Sequence, residues 1–241
     1  MRKVIVLALK EFKTYFVTPI AYIYLAIFLS VPSWIYFSAL FEIREASLRY
    51  YFNLILWVLV FFIPAVSMRL WSEEKRTGTI EVLLTLPLSN IEVVAGKFVA
   101  GMLFILVSIF ATLPIPIIVN SLGELDWGIV FTSYLGFFLM GILFLSIGMF
   151  FSVTTRNQIV AYLVTMLVLF LLVIVNKDFI LKQIPESLLP LKKFFILIGV
   201  TDRFETFLRG LVDTRDIFYF LGISFIFLLS NYLWIEGRKW I

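Results

Sequence analysis

The 241-residue chain contains no cysteine and no histidine. The first absence leaves nothing to form a disulfide, and the second excludes histidine-based metal sites and histidine bases that activate serine or cysteine nucleophiles. Charged residues are scarce at 15%, whereas hydrophobic residues make up 62% and the mean hydropathy is +1.04. A soluble domain is typically about 45–50% apolar. A membrane protein is therefore favoured over the alternative, a soluble helical protein with an unusually apolar core.

Six stretches of the chain contain no Asp, Glu, Lys or Arg, and most are at least as long as the roughly 18 residues that mark a membrane span. They are residues 19–40, 51–68, 98–120, 128–151, 159–175 and 217–235. We expect an all-α polytopic membrane protein with six transmembrane helices in one domain, 1–241. Pro64, Pro114 and Pro116 lie inside spans and should kink those helices.

The absence of charge inside the spans also excludes functions. Ion-driven transporters and voltage sensors commonly place ionisable groups within the membrane. Intramembrane enzymes need a nucleophile with a base, a carboxylate pair or a metal cluster, so no catalytic residue and no metal site is expected. Small residues in the fourth span are expected to be helix-contact positions: Gly136, Gly141 and Gly148. The membrane part therefore has no energy source of its own.

Basic residues indicate how the spans are oriented. They are concentrated in the N-terminal segment, between spans two and three, after span four and in the C-terminal tail. The positive-inside rule then places both termini in the cytoplasm and segment 176–216 outside. That segment is also basic, but long segments count less in this rule. The net charge of +4 therefore reports on topology, and no nucleic-acid partner is expected.

Two amphipathic helices are expected outside the spans. Residues 1–17 carry an apolar stripe, which predicts a basic helix in the membrane interface. The alternative is a plain extension of the first span. That stripe is Ile5, Leu9, Phe12 and Phe16. Segment 176–216 contains a second stripe, which predicts a helix on the outer face of the bilayer or, equally, a small packing element. Its members are Phe204, Phe207, Leu208 and Leu211.

The stretch "RLWSEEKRTGTIEVLLTLPLSNIEVVAGK", Arg69–Lys97, concentrates eight ionisable residues in what we expect to be a cytoplasmic loop. Within it, Thr79–Leu86 has helical spacing and is ended by Pro87. Ser89 and Glu92 then form a capping box that begins the third span. Lys97 is expected near the membrane interface. A short rigid helix between two spans would transmit the displacement of a bound partner; the alternative is that the charges only solvate a loop and enforce topology.

The pattern "EEKRTGTIEVLLTLPLSNIEVVAGK" resembles the ABC-2 type permeases, the membrane subunits of ATP-binding-cassette transporters. The layout of six spans, an interfacial N-terminal helix and outer amphipathic elements is similar to that family as well. Three further stretches resemble its gliding-motility-associated subgroup: "FVTPIAYIY", "SVTTRNQIVAY" and "DRFETFLRGLVDTRDIFYFL". The resemblance covers nearly the whole chain.

The resemblance implies a coupling helix that docks in a groove of a separate ABC ATPase subunit. The matching positions are Glu73, Glu74, Thr77, Gly78, Thr79, Ile80, Glu81 and Leu84. The carboxylates would meet basic residues of the ATPase, and the Ile80 and Leu84 face would fill the groove. A second contact would be Thr155, Arg156, Asn157 and Gln158, within the loop Thr154–Gln158. The N-terminal helix would be a third.

The resemblance further implies a multi-pass protein of the bacterial cytoplasmic membrane that works as a pair with a second permease subunit, identical or different. No Gly-rich phosphate loop occurs in the sequence, so ATP and Mg²⁺ are expected on the ATPase, and this chain is expected to bind no cofactor and to catalyse no reaction. Its partners would be that ATPase, the second permease, the lipid bilayer and an extracytoplasmic accessory protein. Export is the function implied. Two alternatives stay open, an ATPase-driven mechanotransmitter or scaffold acting on an outer protein and a passive channel or scramblase.

Overall fold

The computed structural model describes residues 2–43, 47–85, 87–183, 185 and 188–237. This part of the chain forms thirteen helices and no strand. The helices are α1 (Arg2–Val17), α2 (Pro19–Ile43), α3 (Arg49–Ser67), α4 (Arg69–Thr77), α5 (Thr79–Thr85), α6 (Asn90–Thr112), α7 (Pro114–Leu122), α8 (Trp127–Thr154), α9 (Gln158–Ile174), α10 (Asp178–Leu181), α11 (Leu189–Ile198), α12 (Thr201–Leu208) and α13 (Thr214–Gly237).

Five helical stretches in the described residues are long and apolar enough to cross a membrane. They are Ala21–Leu40, Arg49–Thr77, Asn90–Leu122, Trp127–Thr154 and Thr214–Gly237. The remaining predicted span, 159–175, corresponds to α9, a shorter apolar helix of 17 residues. The all-helical, multi-span prediction is confirmed with five candidate spans, while the count of six and the orientation of the termini stay predictions.

Proline interrupts the third predicted span as the sequence indicates. α6 ends at Thr112, and α7 begins at Pro114 after one intervening residue, Leu113, whose amide donates to the carbonyl of Phe110 at 3.2 Å. Proline lacks an N–H and its ring clashes with the preceding turn, so the regular ladder breaks here. Pro64 sits inside α3 without ending it.

Helix α8 lies at the centre of the bundle and packs against α3, α6, α9, α12 and α13. Its glycines are contact positions, as the sequence predicted. A Cβ atom added to Gly136 would lie 2.7 Å from the side chain of Phe207, and one added to Gly141 would lie 3.1 Å from Ile105. One added to Gly148 would lie 2.0 Å from the hydroxyl of Ser67. The absence of a side chain at these positions lets the neighbouring elements approach closely.

Helix α1 packs along α6, although with a different face from the one the apolar stripe suggested. Leu7 is buried, and Phe12 and Phe16 pack partly against the core, but Ile5 and Leu9 are exposed. The helix therefore has two apolar faces, one turned to the protein and one turned outward. An outward apolar face is compatible with the predicted location in the membrane interface, which stays a prediction.

Helix α12 agrees with the second of the two alternatives for the outer amphipathic element, a packing element. Phe204, Phe207 and Leu208 are buried, and the hydroxyl of Thr132 on α8 donates to the carbonyl of Phe207 at 2.9 Å. This face packs on the bundle and is not free to lie on a bilayer. Leu211 does not share that face, because the helix ends at Leu208.

The chain turns immediately after α12. Gly210 has a left-handed φ of 82°, and the Leu211 amide bonds back to the carbonyl of Thr206 at 3.2 Å. This is the pattern of a Schellman C-cap, which glycine favours because it has no Cβ. Leu211 lies beyond the cap and is exposed.

Candidate functional site

The charged stretch that begins at Arg69 is helical from its first residue. Met68 is both the C-cap of α3 and the N-cap of α4, and its backbone is helical, so the two helices follow directly on each other from Arg49 to Thr77. This segment of two helices is called the rod below. The loop expected over this region therefore begins nine residues later than the charge pattern indicated. Two features favour the helix: Arg69 pairs with Glu73 one turn later at 2.8 Å, and Trp71 is fully buried.

The joint between α3 and α4 is held by a side chain from α8. The Ser152 hydroxyl lies 3.1 Å from the Trp71 amide and 3.2 Å from the Ser72 amide, and it donates to the Met68 carbonyl at 2.9 Å. One donor bond and two accepted bonds are the full capacity of a hydroxyl. Ser152 therefore ties the start of α4 to the central helix of the bundle.

Replacing Ser152 with alanine should loosen this joint. Leaving buried backbone groups without a partner costs about 1–3 kcal/mol, and we expect a loss of stability in that range. Thermal unfolding of the purified chain in detergent measures it. Ser30→Ala is the matched control, because Ser30 is exposed and donates only within its own helix. Equal melting temperatures for the two variants would contradict the role given to Ser152.

The predicted helix after α4 is present as α5, which ends at Thr85. Gly78 separates the two helices with a left-handed φ of 74°, a conformation that glycine adopts without strain. The hydroxyls of Thr77 and Thr79 lie 2.9 Å apart across it. Gly78 thus sets the sharp change of direction between α4 and α5.

The predicted capping box of α6 is confirmed. The Ser89 hydroxyl accepts from the Glu92 amide at 3.3 Å, and the Glu92 carboxylate accepts from the Ser89 amide at 2.9 Å. Just before it, the ammonium group of Lys3 on α1 donates to the carbonyl of Pro87 at 2.7 Å. The connection from α5 to α6 is therefore fixed from both sides.

Lys97 is a buried cation, while its expected location near the membrane interface stays a prediction. Its side chain is 1% exposed, and its ammonium group donates to Glu74 at 2.6 Å and lies 3.6 Å from Glu11. The same group lies 5.0 Å from the centre of the Trp71 ring, which is within cation–π range. One lysine on α6 thus joins a carboxylate on α4 to a carboxylate on α1.

These charges surround a cavity of about 290 Å³ between α1, α4 and α6. Tyr15 lines it with its hydroxyl donating to the Val66 carbonyl at 3.2 Å, and its ring stacks on Phe104. Burial and the nearby Glu11 carboxylate raise the pKa of Tyr15, and Arg69 offsets this in part. The phenol therefore stays protonated and holds α1 against the end of α3.

The structure separates the expected coupling residues into two groups. Glu73 and Glu74 are engaged by Arg69 and Lys97 of the same chain, and Ile80 is buried in the chain's own core. The side chain of Leu84 lies outside the described residues. The exposed members are Thr77, Gly78, Thr79 and Glu81, and this set is called the tip below.

The expected second contact lies at the same end of the bundle. It connects α8 to α9, and α4 packs against both of these helices. Thr155 ends α8, and the Asn157 side chain caps α9 by accepting from the Ile159 amide at 2.9 Å. Arg156 is exposed and Gln158 begins α9.

Sequence reasoning missed Glu11, Trp71 and Ser152 as members of this site. Trp71 had a signal, because a large aromatic residue beside Leu70 inside a charged stretch indicates a buried helical face. The sequence contained no such signal for Glu11 and Ser152, since their partners are distant in the chain. Within the described residues no group of three or more carboxylates is arranged to hold a metal ion.

Comparison with known proteins adds one match. A family model described as ABC-2 family transporter protein matches residues 7–233. No curated protein matches the chain. The description of the family names no subgroup, so the likeness to gliding-motility-associated permeases stays a prediction.

Proposed function

Since the chain belongs to the ABC-2 transporter family, we propose that it couples ATP hydrolysis by a separate subunit to export of a substrate across the bacterial cytoplasmic membrane. Membership makes it a multi-pass permease subunit of an ABC transporter, a transport component whose partner is an ABC ATPase. In this proposal ATP and Mg²⁺ are bound by that ATPase, and this chain supplies the path and the mechanical contact.

The observation that carries the coupling proposal is the continuity of the rod Arg49–Thr77. Its 29 residues run from the far end of the bundle to the tip without a flexible loop. At about 1.5 Å per residue the rod is roughly 43 Å long, enough to cross a membrane and extend beyond it. Displacement of the tip by the ATPase would therefore reach a membrane-spanning helix directly.

Contacts within the chain also hold the helices beside the tip, so the tip does not move independently of them. Ser152 holds the start of α4, Lys97 holds its middle through Glu74, and the capping box fixes the start of α6. Contact with the ATPase is left to the exposed residues of the tip. Among the described residues Glu81 has no ion-pair partner, so its carboxylate is available to a basic residue of the ATPase.

Replacing Glu81 with lysine should abolish association with the ATPase while leaving membrane insertion intact. A charge reversal sets like charges against each other across the proposed contact, which costs several kcal/mol at an interface. Tagged chain is purified from native membranes in mild detergent, and ATP-binding subunits are identified in the eluate.

The control is Glu124→Lys, the same charge change at an exposed residue between α7 and α8, at the other end of the bundle. Retention of the ATPase by Glu124→Lys and its loss from Glu81→Lys would support the proposal. Retention by both variants would remove Glu81 from the contact, and no ATPase with any form would favour the passive channel.

The proposal includes a second permease subunit, either a copy of this chain or a different one. It is supported by α2 and α13, which among the five candidate spans of the described residues have the smallest buried share of the spanning window, 17% in each case. Export is tested by reconstitution with the ATPase in liposomes. Stimulation of ATP hydrolysis by a transported substrate supports it, whereas stimulation only by an outer protein would favour the mechanotransmitter.

A further inference from the structure

A second cavity, of about 480 Å³, lies at the end of the bundle away from the tip. It is formed where the starts of α3 and α8 meet the end of α12. Its wall is largely apolar and includes Leu48, Phe52, Ile129 and Leu208. The volume falls within the range of about 300–1,000 Å³ that is typical of small-molecule sites.

Arg49 and Arg209 line the same cavity and carry its positive charge. Both side chains are more than half exposed, and both approach one carboxylate, Glu205, at 3.8 and 3.5 Å. Lys177 approaches that carboxylate too, at 3.9 Å. Three cations thus share one anion among the described residues, which leaves the cluster with a positive excess.

Among the described residues that line the cavity one is acidic, and it does not neutralise this excess. Asp126 is the N-cap of α8, and its carboxylate accepts from the amides of Gly128 at 2.8 Å and Ile129 at 3.3 Å. A carboxylate in this position is held by the helix that it caps. Its distance from the guanidinium groups exceeds that of an ion pair, since no salt bridge joins it to either arginine in the described chain.

From this combination we infer that the cavity binds an anionic amphiphile. The phosphate or carboxylate head lies between Arg49 and Arg209, where paired guanidinium groups form strong charge-assisted bonds. The apolar part lies along the wall that includes Phe52 and Leu208. The cavity is distinct from the tip, and binding in it does not depend on ATP hydrolysis. The binding inference and the coupling proposal can therefore be tested separately.

Binding is tested on the purified full chain in detergent by native mass spectrometry. The probes are phosphatidylglycerol, phosphatidylcholine with the same acyl chains, and inorganic phosphate as a competitor. We expect phosphatidylglycerol to bind at least about tenfold more tightly than phosphatidylcholine, and this preference to disappear in the double variant Arg49→Gln/Arg209→Gln. The control, Lys193→Gln/Arg215→Gln, removes two exposed cations from the same segment and should leave binding unchanged.

Glu205→Gln separates a binding role from a structural one. If the arginines serve a ligand, removing the carboxylate that competes for them should tighten phosphatidylglycerol binding. If the cluster only holds α12 in place, the same change should weaken binding or unfold the chain, and the inference fails. The inference also fails if the arginine double variant keeps the preference for phosphatidylglycerol. It fails as well if inorganic phosphate competes as effectively as the lipid does, because the apolar wall would then contribute nothing to binding.

Discussion

Replacing Lys97 with methionine is expected to destabilise the chain by about 3–5 kcal/mol, the cost of breaking a buried ion pair by removing one partner. Methionine keeps the length and apolar stem of lysine but removes the ammonium group. Glu74 and Glu11 would then be left facing each other without the cation that lies 2.6 and 3.6 Å from them. Thermal unfolding in detergent, followed by tryptophan fluorescence, measures the loss.

Two companion variants identify the cause. Lys10→Met removes an exposed lysine that lines the same cavity and should have little effect. Adding Glu74→Gln to Lys97→Met removes the uncompensated charge and should recover part of the loss. The deficit of the single variant should also shrink in acid, since burial raises the pKa of Glu74 and protonation removes the charge that Lys97 no longer compensates. A deficit that is independent of pH, and not relieved by Glu74→Gln, would assign the effect of Lys97 to packing alone.

The second large effect is expected at Gly148, where α8 closely approaches Ser67 of α3. In Gly148→Ala the new methyl group would lie 2.0 Å from the Ser67 hydroxyl and 2.7 Å from its Cβ. Rotation of the hydroxyl cannot relieve the second contact, so the helices must move apart, and overpacking of this kind costs about 1–3 kcal/mol. Melting temperature in detergent and ATPase association both report the change, because Ser67 directly precedes the joint at Met68.

The same substitution elsewhere provides the control. Gly222→Ala on α13 meets no atom within 4 Å and should be neutral or stabilising by up to about 1 kcal/mol, the helix propensity difference between the two residues. The double variant Ser67→Gly/Gly148→Ala restores space between the helices and should regain most of the stability. Failure of the double variant to regain it would show that the contact is not with Ser67.

The sequence was sufficient to predict features that depend on residues close to each other in the chain. Long uncharged runs predict spanning helices because backbone polar groups in lipid must be satisfied within the helix. The capping box of Ser89 and Glu92 and the break at Pro114 are confirmed because their partners lie within a few residues. Gly210, two residues beyond the end of α12, was also a readable stop signal, and the inclusion of Leu211 in the helical stripe ignored it.

The sequence was insufficient where burial depends on distant partners. Lys97 directly precedes the apolar run of the third span, and no local pattern indicates that it is buried, because its partners Glu11 and Glu74 lie 86 and 23 positions earlier. The family resemblance assigns Glu74 to the ATPase contact, and its pairing with Lys97 of the same chain could not be predicted from the sequence. Similarly, Ile80 has the pattern of a docking face, and only the packing of α5 on the core shows that it is already covered.

The rod Arg49–Thr77 has a mechanical consequence that links the two ends of the bundle. Ser152 holds it at Met68, about 13 Å from Thr77 and about 29 Å from Arg49 at 1.5 Å per residue. Displacement of the tip that is carried along the rod past this point would therefore reach Arg49, a residue that lines the cavity at the far end.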